Sequence, residues 1–143
     1  MRWLRDWLGR LCGAGPQGAG PRLWFAARRQ PLEGFLSFYV SDPMFADMRD
    51  LVGGRDVSRL VRSSVALGLG LYGERPELMA YFDSRAAQQR HVTCCCSVTM
   101  SDRVVRVAQG QQSRFLRASV EFGLLVFRAH PGLLSSLDER QPE

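Results

Sequence analysis

Nine residues, GAGPQGAGP at 13–21, limit what this chain can fold into more than any other feature. Four Gly and two Pro in nine positions oppose helix and strand alike, one through backbone entropy and the other through fixed geometry. The run cuts a short arm away from everything downstream. Residues 31–138 are left for a folded body, the size of one domain, in a chain of 143. Hydrophobic residues make up 45% of the sequence, enough to give that body a core. The expected organisation is an amphipathic basic helix over 1–12, a linker and anchoring segment over 13–30, one domain over 31–138 and a frayed tail over 139–143.

The arm reads MRWLRDWLGRLC. Trp3, Leu4, Trp7, Leu8 and Leu11 fall at the spacing of one helical face, with Arg2, Arg5, Asp6 and Arg10 largely off it. So short a helix is marginal alone and needs its stripe buried. The chain's own body, a partner groove or a membrane interface could each do that. Twelve residues are too few to span a bilayer. Charge interrupts the stripe throughout, unlike a secretory signal. Beyond the linker, Leu23, Trp24 and Phe25 beside Arg28 and Arg29 could anchor on the domain.

Charge follows the same division. The first 30 residues hold six Arg against Asp6, so they carry the whole net charge of +5. A basic arm on a neutral body attracts acidic partners, nucleic acid or anionic lipid through salt-sensitive forces. All basic side chains are Arg; Lys, Ile and Asn are absent. Without Lys, a Schiff base and a Walker-type phosphate loop are excluded. A GC-biased coding region would account for the missing residue types.

Within the body, FLSFYV at 35–40 predicts a strand. Asp42 as N-cap with Pro43 starts a helix bearing Met44, Met48, Leu51 and Val52, and Gly53-Gly54 stop it. Asp56 caps a second helix through Val57, Leu60, Val61 and Val65. Residues 66–72 continue it or turn into a strand, Gly73 to Pro76 make a turn, and 78–82 fit either strand or helix. HVTCCCSVTM at 91–100 predicts a strand, with Val104, Val105 and Val107 as the return of a hairpin. Ser113 caps a long helix running to Arg128, ended by His130-Pro131-Gly132. No long internal repeat and no membrane span is expected. The fold class is α+β: a small antiparallel sheet packed with two to three helices, plus the N-terminal amphipathic arm.

Motifs for chemistry are scarce. Gly68, Gly70 and Gly73 match G-x-G-x-x-G formally, but Pro76 follows and no acid stands where a ribose would need one. The expectation is a glycine-rich segment packed closely on another backbone. Cys94, Cys95 and Cys96 lack the paired spacing of a structural zinc site, and Cys12 is the only other cysteine. On a strand Cys94 and Cys96 face one way and Cys95 the other. Buried small residues are the expected role, with a shared zinc or a redox thiol near His91 as the alternative. A Cys95–His130 pair has no supporting context, and there is no serine elbow. Neither a catalytic centre nor a cofactor or metal site is expected.

Glu33-Gly34-Phe35 and a Phe-Tyr-Val strand come first, then a helix, then Ser64-Val65-Ala66-Leu67, then Gly73-Glu74-Arg75 running to Leu78 and Phe82. This succession over residues 33–82 resembles the small proteins of adenoviral early region four, of the third-reading-frame type. The resemblance implies a non-enzymatic viral early protein of the host nucleus. It implies dimers with a central β core, which assemble further by exchanging C-terminal segments and capture host proteins of antiviral defence, DNA repair and transcription. Two departures stand out. Arg59 occupies a position where the family carries a polar residue needed for host-factor remodelling, so that activity is not implied. Residues 84–143 extend past the family's usual end.

The expected function is thus a self-associating regulatory protein that binds host nuclear proteins, as a homodimer or higher oligomer. The candidate interaction residues are Trp3, Leu4, Trp7, Leu8, Arg59, Leu133, Leu134 and Leu137. The alternative is a membrane-peripheral adaptor held by the Trp/Arg helix. Nucleic acid would bind at most non-specifically through residues 1–30.

Overall fold

A computed structural model describes Arg2, Asp6, Trp7 and residues 31–82 and 90–138. The fold is α+β. Strand β1 (Gly34–Val40) leads to α1 (Asp42–Leu51), α2 (Val57–Glu74) and a 3-10 helix (Pro76–Phe82). Strand β2 (Arg90–Cys96) leads to α3 (Val98–Ala108), α4 (Gln112–Ala129) and α5 (Gly132–Leu137). The two strands pair antiparallel, and the helices cover one face of the sheet.

Both strands alternate, inner side chains buried and outer ones exposed, as a half-covered antiparallel sheet requires. Leu36, Phe38 and Val40 on β1 and Val92, Cys94 and Cys96 on β2 face the core. Ser41 and Ser97 end the strands and cap the helices that follow, their hydroxyls accepting from the amides of Met44 (3.2 Å) and Met100 (3.1 Å). Asp42, expected as the cap of α1, lies in its first turn instead.

The expected hairpin is overturned. Residues 98–108 are helix, not a returning strand, and β2 stops at Cys96. Met100, Val104 and Ala108 recur every fourth residue and are the buried ones, while Val105 is exposed. The Ser97 cap sets that period. Residues 66–72, which fitted either a continued helix or a strand, continue α2, and the body holds five α-helices among the described residues where two to three were expected. Gln111, not Ser113, precedes the helix at 112.

The expectation of no internal repeat is also overturned. Residues 57–85 and 112–140 align without a gap at an offset of 55. They agree at Ser58/Ser113, Arg59/Arg114, Arg62/Arg117, Ser64/Ser119, Val65/Val120, Gly68/Gly123 and Leu69/Leu124, and again at Pro76/Pro131, Leu78/Leu133, Asp83/Asp138 and Arg85/Arg140. Upstream the offset is 56, with Ser41/Ser97, Met44/Met100 and Gly54/Gly110 shared. Gly54 and Gly110 both have positive φ, +76° and +86°. Each repeat is strand, helix, long helix, short helix.

The two repeats are related by a pseudo-twofold axis through the sheet. Ser37 pairs with Thr93, its own equivalent, and the register runs symmetrically outward to Gly34 with Cys96 and Val40 with Arg90. The same axis relates α2 to α4, the most extensively packed helix pair. A Cβ on Gly68 would meet Ser119 Oγ, and a Cβ on Gly123 would meet Ser64 Oγ. The contact is reciprocal, and a side chain at either glycine would push the helices apart. Core residues at equivalent positions differ in bulk: Phe38 and Cys94, Leu60 and Phe115, Leu67 and Phe122, each buried.

Candidate interaction surface

The outer face of the sheet is built by the strand alternation. Phe35, Ser37 and Tyr39 project from β1, and His91, Thr93 and Cys95 from β2, at directly opposed positions. Phe35 is 64% exposed and Tyr39 49%. A solvated sheet face is ordinarily polar, so two exposed aromatics are the departure that needs explaining. The cross-strand pairs are ordered: Tyr39 lies against the His91 ring with centroids 4.8 Å apart, and His91 Nε2 shares a 2.5 Å hydrogen bond with Ser37 Oγ. Cys95 is an exposed free thiol opposite Phe35.

An arginine from each repeat reaches the sheet backbone. Arg62 Nη1 donates to Cys95 O at 3.2 Å, and Arg117 Nη1 donates to Tyr39 O at 3.5 Å. These are equivalent residues and equivalent acceptors. Beside β2, Arg62 is buried and bidentate on Asp138, Nε to Oδ1 at 2.7 Å and Nη2 to Oδ2 at 3.2 Å. Burial alone would lower the Arg62 pKa; the hydrogen bond and charge of Asp138 outweigh it and hold the guanidinium above its ordinary value.

The expected interaction residues that are described are engaged within the chain itself. Trp7 is helical and fully buried, 6.2 Å from the Phe122 ring and closely packed on Gly70. Burial there withdraws one of the two tryptophans from any membrane contact. Trp3, Leu4, Leu8, the 13–30 segment and the 139–143 tail lie outside the described residues. Leu137 is buried, and Leu133 and Leu134 pack partly buried on the core of the same chain. Ser63 Oγ donates to Leu134 O at 2.7 Å, fixing α5 to α2. Arg59 is occupied within the chain, 3.3 Å from Asp138, 3.4 Å from Asp56 and 3.4 Å from Ser135 Oγ.

The cysteine triplet divides as a strand dictates. Cys94 and Cys96 enter the core and Cys95 faces outward with His91. Burial pushes the Cys94 thiol up to about 12, so it is neither a nucleophile nor a ready metal ligand at neutral pH. No group of three His, Cys, Asp or Glu that could hold a metal ion occurs among the described residues. Gly68, Gly70 and Gly73 lie inside α2, not in a loop opening a helix, so they do not form a dinucleotide cradle. His130 caps the end of α4, on another element from His91. No helix among the described residues is long and apolar enough to cross a membrane.

Sequence reasoning found the strand that carries Phe35 and Tyr39 but did not single them out as a surface. The alternation of FLSFYV was the available signal, because one of its two aromatic sets must face out. Comparison with protein-family models, with curated proteins and with solved structures found no match.

Proposed function

We propose that this chain is a non-enzymatic protein-binding module that engages another protein through the outer face of its sheet. The observation that carries the reading is the exposure of Phe35 and Tyr39 on an otherwise well-alternated sheet, with Tyr39 stacked on the His91 ring that Ser37 hydrogen-bonds. Aromatic side chains offer large contact area at low entropic cost, which is why they anchor interfaces.

The resemblance at residues 33–82 extends the proposal to a viral early regulatory protein acting on host nuclear proteins. The internal repeat fits that extension in a particular way. Where the resembling proteins dimerise around a β core, two fused repeats here surround one sheet within a single chain. On this reading the chain is a covalently joined pseudo-dimer.

The test is capture of a partner from infected-cell or host-cell extract by wild type and by a Phe35→Ser, Tyr39→Ser double variant. Both positions are exposed, so the variant keeps its melting temperature within a few degrees. Capture is expected to fall at least about tenfold. Undiminished capture by a folded double variant would contradict the proposal.

A further inference from the structure

We propose that a cavity in the second repeat is a binding site for a small monocarboxylate with a short apolar chain. It is built by other elements than the outer sheet face, so it is a second site beside the one proposed above.

The cavity opens between the 3-10 helix, the end of α3 and the start of α4, and it holds about 350 Å³. Small-molecule sites run from about 300 to about 1,000 Å³. Met79, Val107 and Ala108 give it an apolar wall, and Glu77, Gln111 and Arg114 give it polar groups.

The first repeat shows what belongs beside that arginine. There Arg59, the equivalent of Arg114, holds a carboxylate and a hydroxyl. Asp56 Oδ1 accepts from Arg59 N at 3.3 Å, Asp56 Oδ2 lies 3.4 Å from Arg59 Nε, and Arg59 Nη1 donates to Ser135 Oγ at 3.4 Å. The second repeat keeps the arginine and changes both partners. Gln111 stands at the place of Asp56, and Ala80 at that of Ser135. Gln111 Oε1 accepts from Arg114 Nη1 at 3.0 Å, yet its side chain makes no cap bond to α4. Ala108 stands at the place of the larger Val52. The exchanged carboxylate and the lost side-chain volume thus fall on the lining of one cavity. A ligand that restores both has an oxyanion at one end and methylenes behind it.

Charge narrows the class further. A guanidinium carries several N–H donors in a fixed fork, so Arg114 receives a carboxylate while it keeps Gln111. Glu77 lines the same cavity, 3.6 Å from Arg75. It repels a second negative charge, which favours a carboxylate over phosphate. Arg114 is only half-buried, so the ion pair contributes little alone. Contact of the apolar chain with Met79, Val107 and Ala108 supplies the rest.

Titration of the isotope-labelled chain with hexanoate, hexanamide and inorganic phosphate, read by amide NMR shifts at constant pH and ionic strength, tests this. Hexanoate is expected to saturate with a dissociation constant of about 1 mM or below, moving amides at 76–80 and 107–114. Hexanamide and phosphate should bind at least about tenfold more weakly. Arg114→Gln should bring hexanoate down to the level of hexanamide. Gln111→Asp supplies the carboxylate from within the chain. It should raise the melting temperature through the restored helix cap and weaken hexanoate at least about tenfold.

Hexanoate that fails to saturate by about 20 mM, or that moves amides elsewhere, overturns the inference. So does equal binding of hexanamide, which would leave Arg114 no part in recognition. Phosphate that binds as tightly as hexanoate overturns the assignment to a carboxylate. Unchanged hexanoate binding by a stabilised Gln111→Asp variant contradicts the likeness to Asp56 on which the site is argued.

Discussion

Asp138 carries more of the C-terminal packing than its single carboxylate suggests. It is buried, receives two hydrogen bonds from buried Arg62 and lies 3.3 Å from Arg59. Replacing it leaves a guanidinium in the core with its charge uncompensated. Asp138→Ala should cost about 3–5 kcal/mol in chemical denaturation; a loss below about 1 kcal/mol would show that the pair is solvated. Ser64 and Ser119 present the opposite case. Both are fully buried, and neither hydroxyl has a hydrogen-bond partner among the described residues. Each is held there by shape alone, so Ser64→Ala or Ser119→Ala should be neutral or stabilising. Cys94 gives a pH dependence with a definite sign. Its folded pKa is raised to about 12 from an ordinary 9.0, chiefly by burial. The unfolded chain loses that proton first as pH rises, so the contribution is fully present below about 9 and is lost between about 9 and about 12. Denaturation midpoints should fall across that window, and less steeply in Cys94→Ala after correction for its lower starting stability.

The crossing of α2 and α4 is the element on which the body is assembled. Its reciprocal Ser–Gly contacts predict matched behaviour in the two repeats. Gly68→Ala and Gly123→Ala should each destabilise by about 1–3 kcal/mol, since the clash is with a packed side chain. Ser119→Gly should partly rescue the first and Ser64→Gly the second, which thermal melts of the double variants would read. A rescue that works on one side only would contradict the pseudo-symmetry. The repeat itself was legible in the sequence, in the Ser-Arg-x-x-Arg-x-Ser-Val-x-x-Gly-Leu run of each long helix. It is hard to see because the strands diverge: the equivalent of Phe38 is Cys94 and that of Val40 is Cys96. β1 followed from the aromatic, β-prone composition of residues 35–40, and the segregation of the cysteines from the alternation of a strand. The identity of α3 did not, because a short Val-rich segment suits both periods and only the Ser97 cap decides between them. The fate of the terminal leucines was equally hidden, since an apolar triplet reads the same whether it packs at home or on a neighbour.

At the scale of the whole molecule, one chain encloses what two identical chains would otherwise supply. Covalent joining removes the concentration dependence of that central pairing and lets the halves differ. They do: Tyr72 hydroxyl donates to Ala118 O at 3.0 Å, whereas its equivalent Phe127 has no hydroxyl. Trp7 packs against Gly70, whose equivalent Leu125 is exposed. The axis emerges on the outer sheet face at Ser37 and Thr93, and there too the halves differ, since Phe35 is the equivalent of His91 and Tyr39 that of Cys95. The most direct measurement is amide hydrogen exchange on the chain with and without its captured partner. Added protection confined to residues 34–40 and 90–96 is the predicted result; protection along 112–137 with the strands unchanged would contradict the account.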